Sequence, residues 1–295
     1  MSQQGTTQHS MDAQYYVDAQ YYVDAPTRTI AAGGVRFAYR ELGPQSGIPL
    51  VLLTHLGANL DGWDPRVVDG LAQDRHVIAV DYRGVGGSTG RVRDSIGEMA
   101  DDVVAVIRAL GHDRVDMFGL AIGGMVAQAV AERAPRLIDR LVLAAAGPAG
   151  GPGLAAAPRV TVTTGLRAAL TFNDPKTLLF FTSTATGKHA ARAYLARLQE
   201  RTAGRDKPVT PGTYRAQLTA LRRWGQQAPS ELSSAVGEVF IVQGDSDRLV
   251  PAANATELAR VFPGAMVTVY PDSGHGVVFQ YHRKFVAAAR DFLRR

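Results

Sequence analysis

Val115-Asp116-Met117-Phe118-Gly119-Leu120-Ala121-Ile122-Gly123-Gly124-Met125 is the stretch on which the fold turns. A mostly apolar run enters a glycine, a second glycine follows just past an alanine, and a helical pattern begins. This is the frame of Gly-x-Ser-x-Gly, a sharp strand-to-helix turn that holds one residue on its tip. The flanking glycines have a steric purpose, because side chains there would clash in so tight a turn. The frame calls for serine at the tip. Ala121 stands there instead and has no nucleophilic atom.

Working outward, residues 28–31 and 35–40 read as a hairpin about Gly33-Gly34. Residues 49–54 and 76–81 are apolar runs of the kind that form strands buried on both faces. Asp64 followed by Pro65 marks a helix start, and 95–110 has helical periodicity. Residues 115–120 form the strand of the turn, 123–133 its helix, and 141–145 the next strand. The rhythm breaks after the glycine- and proline-rich stretch 147–153. It resumes at 239–243 and continues through 254–262, 266–270 and 281–293. Strands alternating with helices predict an α/β fold: a mostly parallel, twisted sheet flanked by helices and joined by right-handed crossovers. Residues 154–228 contain no buried strand and read as several helices. The expected organisation is therefore a core of 27–153 and 229–295, with a helical lid, 154–228, inserted over the sheet's carboxyl edge, where open α/β sheets bind ligands. Residues 1–26 are expected to be a flexible tail. Within it Asp12-Ala13-Gln14-Tyr15-Tyr16-Val17 is repeated as Asp18-Ala19-Gln20-Tyr21-Tyr22-Val23, and these tyrosines could dock on the body.

The 295 residues suit one large domain with an insertion. The absence of cysteine excludes disulfides and thiolate metal sites. No metal cluster or cofactor fingerprint stands out, and Gly84-Val85-Gly86-Gly87 lacks the spacing of a nucleotide loop. The net charge is +5 with the basic residues dispersed, which speaks against a nucleic-acid partner. No apolar run reaches the roughly 18 residues of a membrane span, and residues 1–10 do not form a secretory signal. The expectation is a cytoplasmic protein with no membrane partner.

Two further segments complete a chemical set. Gly244-Asp245-Ser246-Asp247 follows one buried strand, and Asp272-Ser273-Gly274-His275 follows the next. The order of tip, acid and histidine, all just past strand ends, is the order of a nucleophilic triad. Together with Asp81-Tyr82-Arg83-Gly84-Val85-Gly86, these motifs make residues 28–295 resemble the α/β-hydrolase-fold proteins of the esterase, lactonase and cofactor-free haloperoxidase type. The resemblance implies Asp247 as the acid, with Asp245 as its rival, His275 as the base and Ala121 in the nucleophile's place. It implies an oxyanion hole from the backbone N–H groups of Ile122 and Leu56. It also implies a small-molecule substrate, an ester or lactone of mostly apolar character, and no cofactor. Of the aromatics Trp63, Phe172, Phe180, Phe181, Tyr194, Tyr214 and Trp224, the candidates for the pocket wall are Trp63, Phe180, Phe181 and Trp224. His55 is expected to brace the oxyanion loop. Ser88 and Ser95 are expected to cap turns or helices.

Two accounts of Ala121 follow. In one, serine is the native residue and the alanine was introduced, which disables a serine hydrolase. In the other, the chain naturally lacks the nucleophile and binds a small ligand or does non-covalent acid–base chemistry with His275 and Asp247. Retention of Asp247, His275 and the elbow glycines favours the first.

Overall fold

The computed structural model describes residues 20–228 and 237–294. The chain runs β1 (Arg28–Ala32), β2 (Val35–Leu42), β3 (Leu50–Leu53), α1 (Pro65–Ala72), β4 (Val77–Val80), α2 (Ile96–Ala109), β5 (Val115–Leu120), α3 (Ile122–Arg133) and β6 (Ile138–Ala144). Helices α4 (Ala157–Leu170), α5 (Pro175–Phe180), α6 (Ala185–Arg197) and α7 (Pro211–Gly225) follow. The chain ends with β7 (Val239–Gly244), α8 (Ala253–Val261), β8 (Met266–Tyr270), α9 (Val277–Gln280) and α10 (His282–Arg294). The eight strands form one sheet in the order β1-β2-β4-β3-β5-β6-β7-β8. The β1–β2 and β2–β4 pairs are antiparallel and the rest are parallel.

Local chemistry accounts for the elements. Gly33 and Gly34, both at positive φ, close the β1–β2 hairpin in the handedness that suits twisted strands. Asp64 accepts a hydrogen bond from the Arg66 N–H at 3.0 Å, so it caps α1 as Pro65 opens it. Strands β3 to β7 contain almost no exposed position because helices cover both faces of the sheet. Val51 and Leu53 pack in one apolar cluster with residues of α2, α3 and α8. Leu50 and Leu52 pack in the other, with α1 and α10.

Tyr22 and Ala25, within the segment expected to be a flexible tail, pack on the body. Residues 1–19, with the first hexapeptide, lie outside the described residues. Tyr22 of the second copy is buried; its hydroxyl donates to the Leu60 carbonyl at 2.8 Å and its N–H to Asp69 at 2.6 Å. Arg201, between α6 and α7, donates to the carbonyls of Val23 and Ala25 at 2.8 and 2.9 Å. An aromatic side chain with a satisfied hydroxyl is a good anchor, and composition alone does not distinguish it from a solvated one.

Candidate active site

Gly119 is the last residue but one of β5, and Ala121 stands between β5 and α3. Ala121 has φ 56° and ψ −117°, a region that L-residues occupy only when their surroundings impose it, at a cost of roughly 1–3 kcal/mol. The surroundings are explicit. A Cβ on Gly123 would fall on the Leu53 carbonyl, and one on Gly119 would fall on the Gly123 carbonyl. A Cβ on Gly124 would lie 2.6 Å from that of Ala146. The turn is compressed against β3 and β6, so the tip residue is pushed out of the sheet plane into the cavity above.

His275 and Asp247 meet in that place. Their Nδ1 and Oδ2 atoms are 2.8 Å apart. A carboxylate only accepts, so Nδ1 is the donor in this pair. The other Asp247 oxygen accepts from the N–H groups of Leu249 and Val250 at 2.8 and 3.0 Å, and Gln243 donates to Oδ2 at 3.2 Å. These bonds fix the orientation of the carboxylate. Asp245 is exposed; it accepts from Ser246 and from the Asp272 and Ser273 N–H groups. It stitches together the turn that delivers His275 and is not near the histidine ring.

Ile122 opens α3, so its N–H is one that a helix start leaves without an intrahelical acceptor. Leu56 lies beside it on the cavity wall. The Gly57 N–H on the same loop is taken by Gln217 Oε1 at 2.8 Å, and the Tyr214 ring packs on Gly57. Helix α7 thus grips the loop that carries Leu56. His55 is fully buried in the wall; burial pushes its pKa down to about 3, and its Nδ1 lies 3.0 Å from the Leu56 carbonyl. It is a neutral ring packed edge-on against Phe180.

The cavity encloses about 50 Å³. The body contributes His55, Leu56, Ala121, Ile122, Met125, Leu249, Val250 and His275, and the insertion contributes Ala157, Thr161, Leu179, Phe180, Tyr214 and Leu221. Of the four expected wall aromatics only Phe180 is there. Trp63 is buried beneath the sheet against Phe118, with ring centres 5.3 Å apart. Phe181 packs on Tyr194. Trp224 donates its indole N–H to the Gly147 carbonyl at 3.1 Å and roots α7 on the body. Phe172 is exposed. Sequence reading missed Thr161, Leu179 and Gln217, and named Tyr214, which is on the wall, only among the wider set of aromatics. The available signal was on α7, where Thr213, Gln217, Leu221 and Trp224 recur at helical spacing and place a glutamine on the buried face.

Of the two serines expected to cap turns or helices, only Ser88 has side-chain hydrogen bonds among the described residues. Ser88 accepts from the Ala38 N–H and donates to the Asp81 carbonyl. Ser95 stands at the start of α2 without a side-chain cap bond. His76 pairs with Glu41 at 2.9 Å.

A family model for the alpha/beta hydrolase fold matches residues 48–280. The chain belongs to the α/β-hydrolase fold family. An α/β-hydrolase-fold protein from Chitinophaga pinensis has a structure 35% identical in sequence at a TM-score of 0.87, covering 92% of this chain and 98% of that one. A structure described as Est816, an N-acyl homoserine lactone degrading enzyme, is 27% identical at a TM-score of 0.70, covering 90% and 100%. The 2-hydroxymuconate semialdehyde hydrolase of Pseudomonas sp. strain CF600 is 27% identical over 282 residues, which is 90% of this α/β-hydrolase and 93% of that enzyme. Most of the curated relatives are named as hydrolases or esterases, and the scaffold is a hydrolase scaffold.

Proposed function

We propose that this scaffold hydrolyses an ester or lactone of a mostly apolar small molecule through a triad of a serine at position 121, Asp247 and His275, and that the present chain is disabled by alanine at the first of these positions. The observation that carries this reading is the tip geometry. Ala121 is held at φ 56° and ψ −117° in the cavity that His275 also lines, while His275 is still oriented by Asp247. A methyl group gains nothing from that strained backbone; a hydroxyl would.

With serine at 121, its Oγ attacks the carbonyl carbon and His275 Nε2 takes the hydroxyl proton. The carbonyl oxygen becomes an oxyanion held by the N–H groups of Ile122 and Leu56. Collapse breaks the bond to the alcohol oxygen, which leaves with the proton from His275. Water then attacks the acyl-serine, gives a proton to His275, and releases the acid and the serine hydroxyl. A lactone follows the same steps with its alcohol still tethered. The 50 Å³ cavity is smaller than the roughly 300–1,000 Å³ of most ligand clefts, so residues 154–228 act as a lid that shifts to admit substrate. The lactone-degrading relative supports this substrate class.

The test is Ala121→Ser, with both proteins assayed on aryl esters and acyl lactones and probed with a fluorophosphonate. The serine form is expected to label at residue 121 and to turn over, and the alanine form to be slower by about 10⁶-fold. A serine form that neither labels nor turns over any of these compounds would remove the reading.

A further inference from the structure

The outer face of α4 is exposed and apolar. Its inner residues Ala157 and Thr161 wall the cavity. On the opposite side Val162, Leu166 and Leu170 recur every fourth residue at 47, 62 and 82% exposure, a spacing that puts them on one helix face. Phe172 follows the helix end at φ 52° and is 98% exposed. A helix on a globular body ordinarily turns such a stripe inward. Side chains this exposed have no flanking walls, so the stripe is a projection and not a groove.

Charge gives the second observation. Residues 154–228 hold twelve lysines and arginines against three carboxylates, whereas all other residues together hold twenty against twenty-four. The positive balance of the protein therefore resides in the insertion, although the basic residues look dispersed along the sequence. Arg159 and Arg167 on α4, Lys188 and Arg192 on α6, and Arg215 and Arg222 on α7 are exposed. None forms an ion pair with an acid among the described residues. Helix α4 itself contains no carboxylate.

We propose that the outer face of α4 docks the protein on an anionic lipid bilayer, with Leu166, Leu170 and Phe172 entering the boundary between headgroups and acyl chains and the arginines contacting the headgroups. Apolar residues flanked by free cations suit an anionic interface. A second copy of this chain fits less well, because a two-fold contact on this face would bring the α4 arginines of both copies together with no α4 carboxylate to meet them. The contact is peripheral: among the described residues no helix is long and apolar enough to cross a membrane. It would set the cavity, walled by the other side of the same helix, against the phase in which apolar esters collect.

The test needs no enzymatic activity, so it stands or falls apart from the proposed chemistry. The full chain is sedimented with vesicles of phosphatidylcholine alone or of phosphatidylcholine with phosphatidylglycerol. Binding is expected to the second kind, to weaken with added salt, and to be lost on the first. The triple variant Leu166→Ser, Leu170→Ser, Phe172→Ser should bind at least about tenfold more weakly. Arg159→Gln with Arg167→Gln should also lose binding, by roughly fivefold for each arginine. Thermal melts of both variants should match the parent, since the changed side chains face solvent. In Phe172→Trp the added indole should shift its emission to the blue on anionic vesicles. Absence of binding to phosphatidylglycerol vesicles overturns the proposal, as does binding unchanged in the triple variant. So does light scattering that shows a dimer which the triple variant dissolves while vesicles stay unbound.

Discussion

The ion pairs between the sheet body and the helical insertion, which flank their shared apolar packing, mostly set a body acid against an insertion base. On the body side stand Asp61, Asp64 and Asp94; on the insertion side stand Arg201, Arg205, Arg197 and Arg223. The Asp64–Arg197 and Asp94–Arg223 pairs are at 2.6 and 2.7 Å, and Asp61 lies within 3.8 Å of both Arg201 and Arg205. Among the described residues, Arg66–Glu200 runs the other way. Within the body, by contrast, neighbouring strands are joined by backbone ladders between buried faces. The body therefore holds its side chains on a continuous hydrogen-bonded sheet, whereas the insertion is joined to it by side-chain contacts, both apolar and ionic. Under the proposed function, the body carries the chemistry and the insertion the choice of substrate and of surface.

The largest effect should come from the body. In the Ala121→Ser protein, His275→Ala is expected to remove about 10⁶-fold of kcat, and Asp247→Asn about 10⁴-fold, read by steady-state kinetics. Tyr214→Ala in the insertion should instead alter KM and the ranking of substrates by roughly tenfold. If it lowered kcat as deeply as His275→Ala, the division between body and insertion would collapse. Next is Gly123→Ala, which drives a methyl into the Leu53 carbonyl. It should lower stability by about 3 kcal/mol or more in urea unfolding, while Gly165→Ala on α4, where an added Cβ meets nothing within 4 Å, should be neutral or slightly stabilising. Ala121→Gly sharpens the point from the other side. Glycine relieves the positive-φ strain but loses more chain entropy, so a net gain of about 1 kcal/mol and a higher Tm are expected.

The smallest effect is a slope with pH at the joint. Burial, and then the neighbouring Asp206 carboxyl of the insertion, hold the Asp81 pKa well above the usual carboxylate range, against the opposing pull of Arg40. In the unfolded chain Asp81 would ionise near about 3.9. Between that value and its folded one, the native state binds more protons than the unfolded state, so stability falls as pH rises through the window. Asp81→Asn should flatten the fall of Tm with rising pH. An unchanged slope would place the titration elsewhere.

Much of the body was legible in the sequence because its signals are local. Asp64-Pro65 announces α1, Gly33-Gly34 the hairpin, and mostly apolar runs β3 to β7. The tip and Asp247 lie just after such runs, and His275 follows β8, a half-exposed edge strand and not the second buried strand the sequence suggested, so strand ends reveal their placement. The cavity wall was not legible for a physical reason. Whether an aromatic side chain points into a cavity depends on the rotation of its element against neighbours distant in sequence. Trp63 and Trp224, expected on the wall, turned out to anchor beneath the sheet and at the root of α7. Ala157 and Thr161, small residues without compositional signal, face the cavity. The outward turn of Leu166 and Leu170 was hidden likewise, because a stripe of leucines looks the same whether it is buried or bare.

The anchoring of Tyr22 by Leu60 and Asp69, and of the following carbonyls by Arg201, has a consequence for the hexapeptide repeat. The docked segment reads Tyr22-Val23-Asp24-Ala25, and the same four residue types stand six places earlier as Tyr16-Val17-Asp18-Ala19. Excision of residues 12–17 leaves the docked copy untouched, and excision of 18–23 brings an equivalent tyrosine to the same distance from β1. The dock is written twice, so a deletion of either copy restores the same fit, whereas a shift by any other number of residues loses it.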